Sequence, residues 1–120
     1  MNQKEYNGWT NYETWNVALW IGNEESASRF WNDFALEVWS NAEASDVWSR
    51  EESAKFNLAD DMKEYFERES RDMLERAKAE TSMWADLLGA ALSEVNWNEI
   101  AGSMIEDVDK TIEVEQEEND

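Results

Sequence analysis

The chain contains no cysteine, no proline, no histidine and only four glycines in 120 residues. Without cysteine there is no disulfide, no thiolate nucleophile and no thiolate metal site, a composition that suits a reducing compartment. The lack of histidine removes the commonest general base near neutral pH, the Ser-His and Cys-His nucleophile pairs, and imidazole metal ligands. Scarce glycine and absent proline argue against a sandwich or barrel, which needs many tight turns. Positive charge is scarce as well. Against 29 acidic residues stand 10 basic ones, giving a formal net charge of -19. Nucleic acid and anionic membranes would be repelled, so a basic partner is favoured. No apolar run approaches the ~18 residues of a membrane span, and the start, "MNQKEYNG", lacks the basic-then-apolar run of a signal peptide. The expectation is a soluble cytoplasmic protein.

What is present is enough for one core. The apolar fraction is 42% and there are eight tryptophans, each able to remove about 150–250 Å² from water. Helical spacing dominates the chain. Thr10 with Glu13 fits a capping box, and Tyr12, Trp15, Ala18 and Leu19 then recur at three and four residues until Gly22. Asn23 or Ser26 can cap a second helix, whose inner stripe is Ala27, Phe30, Trp31, Phe34, Ala35, Val38 and Trp39. "SNAEAS" reads as a connector. Ser49 and Glu52 form another capping box, opening a helix of up to ~30 residues with Leu58, Met62, Tyr65, Phe66, Met73 and Ala77 inside and Asn57 as a point of interruption. Thr81 or Ser82 caps a fourth, with Trp84, Leu87, Leu88, Ala91, Leu92 and Val95 on one face. Asn96 with Glu99 starts a fifth, with Trp97, Ile100, Ala101, Met104 and Ile105 inward. The spacing therefore predicts an all-α fold: a compact bundle of about five helices over residues 1–108, followed by an acidic, mobile tail over 109–120, with roughly 60–75% helix overall.

The charge is uneven. Residues 1–49 carry eight acids and two bases, residues 50–78 nine and seven, and residues 79–120 twelve and one. In the middle stretch Glu51–Lys55, Glu64–Arg68, Glu67–Arg71 and Asp72–Arg76 are acid-before-base pairs four apart, a pattern that neutralises a helix face. The last two helices have no such compensation. Carboxylate chemistry with Mg²⁺ is what the composition leaves open to an enzyme. Glu64-x-x-Glu67 and Glu69-x-x-Asp72 have the period of one helical face, as in the acidic motifs of all-α nucleotide pyrophosphatases. A solvated, salt-bridged face accounts for the same residues more simply. "DVDKTIEVEQEE", Asp107 to Glu118, places acids at three calcium-loop positions, but Ile112 stands where the turn needs glycine. The chain therefore reads as non-enzymatic, with no metal and no cofactor.

Trp15, Trp31, Trp39, Trp84 and Trp97 fall on inward stripes and read as core. Trp9, Trp20 and Trp48 fall off them and are the candidates for an exposed recognition surface. "GWTNYETWNVALWIGN" (8–23) and "DLLGAALSEVNWNEIAGSMIED" (86–107) resemble the two most recognisable stretches of a family of small, largely uncharacterised proteins encoded by phages, plasmids and bacterial genomes. The resemblance implies a mobile-element context and a compact domain in which the two stretches meet, and it brings no catalytic residues. In composition and length the chain is also similar to phage antirestriction proteins that imitate DNA.

The leading expectation is an acidic accessory protein that binds a basic, nucleic-acid-binding surface on a host enzyme, with carboxylates standing in for phosphates. The candidate contacts are Asp86, Glu94, Glu99, Glu106, Asp107 and Asp109, extended by Glu113, Glu115 and Glu117. The alternative is an interaction or assembly module that uses exposed tryptophans.

Overall fold

The computed structural model describes residues 6–111; Glu113, Glu115 and Glu117 lie outside the described residues. Within that range the chain forms α1 (Tyr12–Asn23), α2 (Glu25–Asn41), α3 (Arg50–Arg76), α4 (Met83–Ser93) and α5 (Trp97–Asp107). Helix accounts for 74% of the described residues and none is in a strand. None of these helices is long and apolar enough to cross a membrane.

The caps explain most of the boundaries. Ser49 Oγ accepts the Glu52 N–H at 3.1 Å while Glu52 Oε1 accepts the Ser49 N–H at 2.9 Å, so both halves of the expected box are made. Ser82 and Asn96 cap α4 and α5 by accepting from Ala85 and Glu99. Two caps differ from expectation by a residue or two. Asn11, rather than Thr10, caps α1 by accepting the Thr14 N–H at 2.9 Å, and Glu24 caps α2 by accepting the Ala27 N–H at 2.7 Å. In both cases the neighbouring side chain has the better reach to the third amide. Asn57 does not interrupt α3; it is exposed and the helix runs through it. At the far end Lys78 has φ 57°, Ala79 N–H donates to Leu74 O and Lys78 N–H to Glu75 O. These bonds form a left-handed helix stop that glycine usually fills.

Ahead of α1, Tyr6 and Trp9 exchange backbone hydrogen bonds of 2.9 and 2.8 Å. Asn7 and Gly8 between them both have positive φ, the Asn-Gly signature of a two-residue turn. This turn seats Tyr6 against Tyr12 and Trp15, at ring distances of 5.2 and 5.1 Å.

The core lies between α2, the first half of α3, and α5. Trp31, Ala35 and Trp39 meet Ala54, Leu58, Ala59 and Met62, with Trp97, Ile100, Ala101 and Ile105 closing the third side. Trp31, Phe66 and Trp97 stack in sequence at 5.6 and 5.5 Å. The inward stripe of α1 is turned from the expected one. Thr14 and Ile21 are buried while Tyr12 and Leu19 are exposed, because a polar contact with α5 sets the rotation of the helix.

Helix α4 departs furthest from expectation: none of its residues is buried, and Trp84 and Leu87 are 64% and 55% exposed. Met73 and Ala77, expected inside α3, are also exposed. The second half of α3 and α4 project from the core, and the radius of gyration is 16.1 Å, against about 13–14 Å for a compact domain of this length.

Candidate functional site

The two recognisable stretches of sequence meet at the junction of α1 with the α4–α5 corner. Asn96 N–H donates to Thr14 Oγ1 at 2.8 Å, Asn11 Nδ2 donates to the Glu94 carbonyl at 2.7 Å, and Thr10 N–H donates to Glu99 Oε1 at 3.1 Å. The first two bonds satisfy cap groups, the Asn96 N–H at the start of α5 and the Glu94 carbonyl at the end of α4, and the third ties Thr10, just ahead of the α1 cap, to α5. This motif is a latch between helix ends, and its best-defined polar residues are committed to the fold.

That commitment changes the standing of the candidate acids. Glu99 is half-buried and holds Thr10, so it is not a free contact. Asp86 sits exposed in the first turn of α4, and Glu94 at its C-terminal cap. Glu106 and Asp107 end α5, with Asp109 two residues on. The structure therefore gathers Glu106, Asp107 and Asp109 at one end of α5 and leaves Glu94 and Glu99 at the other, instead of aligning all six along one face. Glu51 and Glu52 at the start of α3 share a recess of about 400 Å³ with Glu106, but Lys55 lines it too.

Carboxylates at a helix C-terminus face its negative end, and Lys110 offsets this. Its ammonium donates to the Ile105 carbonyl at 2.6 Å, lies 3.6 Å from Glu51 and sits 5.2 Å from the centre of the Trp39 ring. Asp109 accepts from the Thr111 hydroxyl and backbone N–H, which together hold its carboxyl below the usual range. This end of the molecule is acidic but partly compensated.

The uncompensated acid lies elsewhere, along the seam between α2 and α3. Glu37, Asp60 and Asp61 line a recess of about 420 Å³ with Phe34 and Val38, and no cation lines it. Burial, then the charges of Glu64 and Asp60, push the Asp61 carboxyl up, as expected where like charges crowd without a partner. None of the four expected ion pairs of α3 closes within 4.0 Å; Glu51 turns to Lys110, and Arg68 lies 5.8 Å from the Tyr65 ring centre. Among the described residues no group of three or more acids is placed to hold a metal ion.

The seam continues into an aromatic groove. Phe30 and Tyr65 stand 5.9 Å apart and on one side border Asp61 and Glu64, with Arg68 at the same recess. On the other side they border a groove of about 470 Å³ lined by Val17, Trp20, Ile21, Ala27, Trp31 and Phe66. Trp20 is 64% exposed and Phe30 50%. Of the three tryptophans singled out in sequence, Trp20 is open, Trp48 is exposed but rests edge-on against Phe56 at 4.8 Å, and Trp9 packs on the core. Sequence reasoning missed Phe30, which sits on a core-like stripe, and missed Asp60 and Asp61. Their only signal was their adjacency, with no base four residues on, on a helix where Glu51, Glu64, Glu67 and Asp72 each have one.

No curated protein and no solved structure matches the chain. The model of one family, described as a family of unknown function (DUF7249), matches residues 2–119, and the chain belongs to that family.

Proposed function

We propose that this is a non-enzymatic binding protein that engages a basic surface of a partner protein through the α2–α3 seam. The observation that carries the reading is the crowding of Glu37, Asp60 and Asp61, with Glu64 beside them, around a recess that no cation lines. Arg68 reaches the Asp61–Glu64 end of the seam, but charge of one sign crowded at the Glu37–Asp60–Asp61 recess costs stability, and an incoming arginine or lysine would relieve it. Asp60, Glu64 and Glu67 step along α3 by about 4.5–6 Å, a spacing of the same order as phosphates along a strand. The partner class this favours is a nucleic-acid-binding protein, inhibited by occupation of its binding surface. A phage or mobile-element accessory role against a defence or regulatory enzyme fits the sequence resemblance.

The test is capture of a partner from cell lysate at low and high salt, followed by competition with duplex DNA. The reading requires a partner held at low salt, released as the screening length falls below ~8 Å, and displaced by DNA. A second reading, docking through exposed aromatics, is favoured by the openness of Trp20 and Phe30. It requires a partner retained at high salt and lost on Trp20→Ala.

A further inference from the structure

We propose that the aromatic groove and the acidic recess of the α2–α3 seam are two halves of one site, which takes a basic amphipathic helix of a partner protein with an apolar side chain in the groove and an arginine or lysine in the recess. The inference rests on the reading of the seam as a binding surface and names what the partner must present to it. The two hollows are joined through shared walls. Phe30, Trp31 and Tyr65 line both the groove and a middle hollow of about 360 Å³, and Phe34 and Asp61 line both that middle hollow and the acidic recess. From groove to recess, residue numbers rise along α2 from Phe30 to Glu37 and fall along α3 from Tyr65 to Asp60. The two helices are thus antiparallel walls of one track, whose ends lie about 8–10 Å apart at ~1.5 Å per residue.

Charge and shape identify the occupant. The groove is walled by aromatic rings with Val17, Ile21 and Ala27, and its one charged lining residue is Glu24. The recess holds Glu37, Asp60 and Asp61, and at the middle hollow Asp61 and Glu64 outnumber Arg68. No cation lines either end. An uncharged apolar ligand would fill the groove and leave the acids crowded. A purely cationic one would relieve the acids and leave Trp20, 64% exposed, and Phe30, 50% exposed, in water. A second copy of this chain, at net charge -19, would bring like charge to the recess. A helix suits the spacing, because side chains seven positions apart share a face and lie about 10.5 Å apart, and amphipathic helices lay such a face into a groove.

The test is calorimetric titration of the full chain, at about 20 mM and about 0.3 M NaCl, with four synthetic helical peptides built on one uncharged alanine–glutamine host. The complete peptide carries a leucine and, seven and eight positions on, two arginines; the others lack the leucine, the arginines or both. At low salt the complete peptide should bind at least about tenfold tighter than either partial one. Trp20→Ala should reduce it to the level of the arginine-only peptide. The double variant Asp60→Asn, Asp61→Asn should reduce it to the level of the leucine-only peptide, and both variants should keep the helical circular dichroism spectrum. An arginine-only peptide that binds as tightly as the complete one, with a salt dependence that the double variant abolishes, overturns the inference and leaves the reading of the seam standing. A leucine-only peptide that binds as tightly as the complete one also overturns it, as does an advantage of the leucine that survives Trp20→Ala. If no peptide binds, the inference falls and the reading of the seam answers to the lysate capture.

Discussion

Thr14 shows how much one small side chain can decide. It is fully buried, and its hydroxyl accepts the Asn96 amide at the corner where α5 begins. Thr14→Val keeps the shape and removes the acceptor, so urea denaturation should show a loss of about 1–3 kcal/mol, the cost of stranding a buried polar group. Trp31, 3% exposed and ringed by Phe30, Phe34, Tyr65 and Phe66, should lose about 3–5 kcal/mol as Trp31→Ala. Trp15→Ala should fall short of that, because Trp15 is only half-buried against Tyr6 and Tyr12. Asp61 works in the other direction. Its carboxyl is raised by burial, Glu64 and Asp60, so its contribution to stability is present below the usual aspartate range and lost as pH rises through its folded-state value. Asp61→Asn should therefore melt higher than the parent at pH 7, with the gain vanishing below about pH 4; an unchanged melting temperature at pH 7 would mean the crowding is harmless.

The helices themselves were legible because their signals are local. Ser49 and Glu52 lie three residues apart and need nothing distant to make their box, and Ser49→Ala should lower stability by about 1 kcal/mol in thermal or urea melts. The stripes of α2 and α5 were legible for a related reason: each faces a single continuous core, so period alone names Trp31, Ala35 and Trp39, or Trp97, Ile100 and Ile105. Period alone failed for α4. Trp84 and Leu88 both fit a helical repeat, and nothing within eleven residues says which of the two faces a neighbour will cover. It failed for α1 as well, where Thr14 rather than Trp15 points to the core because Asn96, 82 positions away, supplies the partner. The seam was illegible for the same cause. Glu37 and Asp61 come together only when α2 packs on α3, and the ion pairs that sequence spacing promised to α3 stay open in the folded chain.

On the scale of the whole molecule, polar and charged groups are divided between two tasks. Lys110, Arg50 and the latch residues Asn11, Thr14 and Glu99 serve the fold, while Glu37, Asp60 and Asp61 crowd a recess of the α2–α3 seam that no cation lines. Exposed acids contribute little to stability, so neutralising Glu37, Asp60, Asp61 and Glu64 together as Gln or Asn should preserve the helical fold. The most direct test of the account is the salt dependence of binding to a captured partner, measured for the parent, for this seam variant, and for a control in which Asp86, Glu94 and Asp107 are neutralised instead. The account predicts that affinity for the parent falls steeply with salt, that the seam variant loses both affinity and most of that dependence, and that the control keeps both. A seam variant that binds as tightly as the parent, with the same dependence on salt, would contradict it.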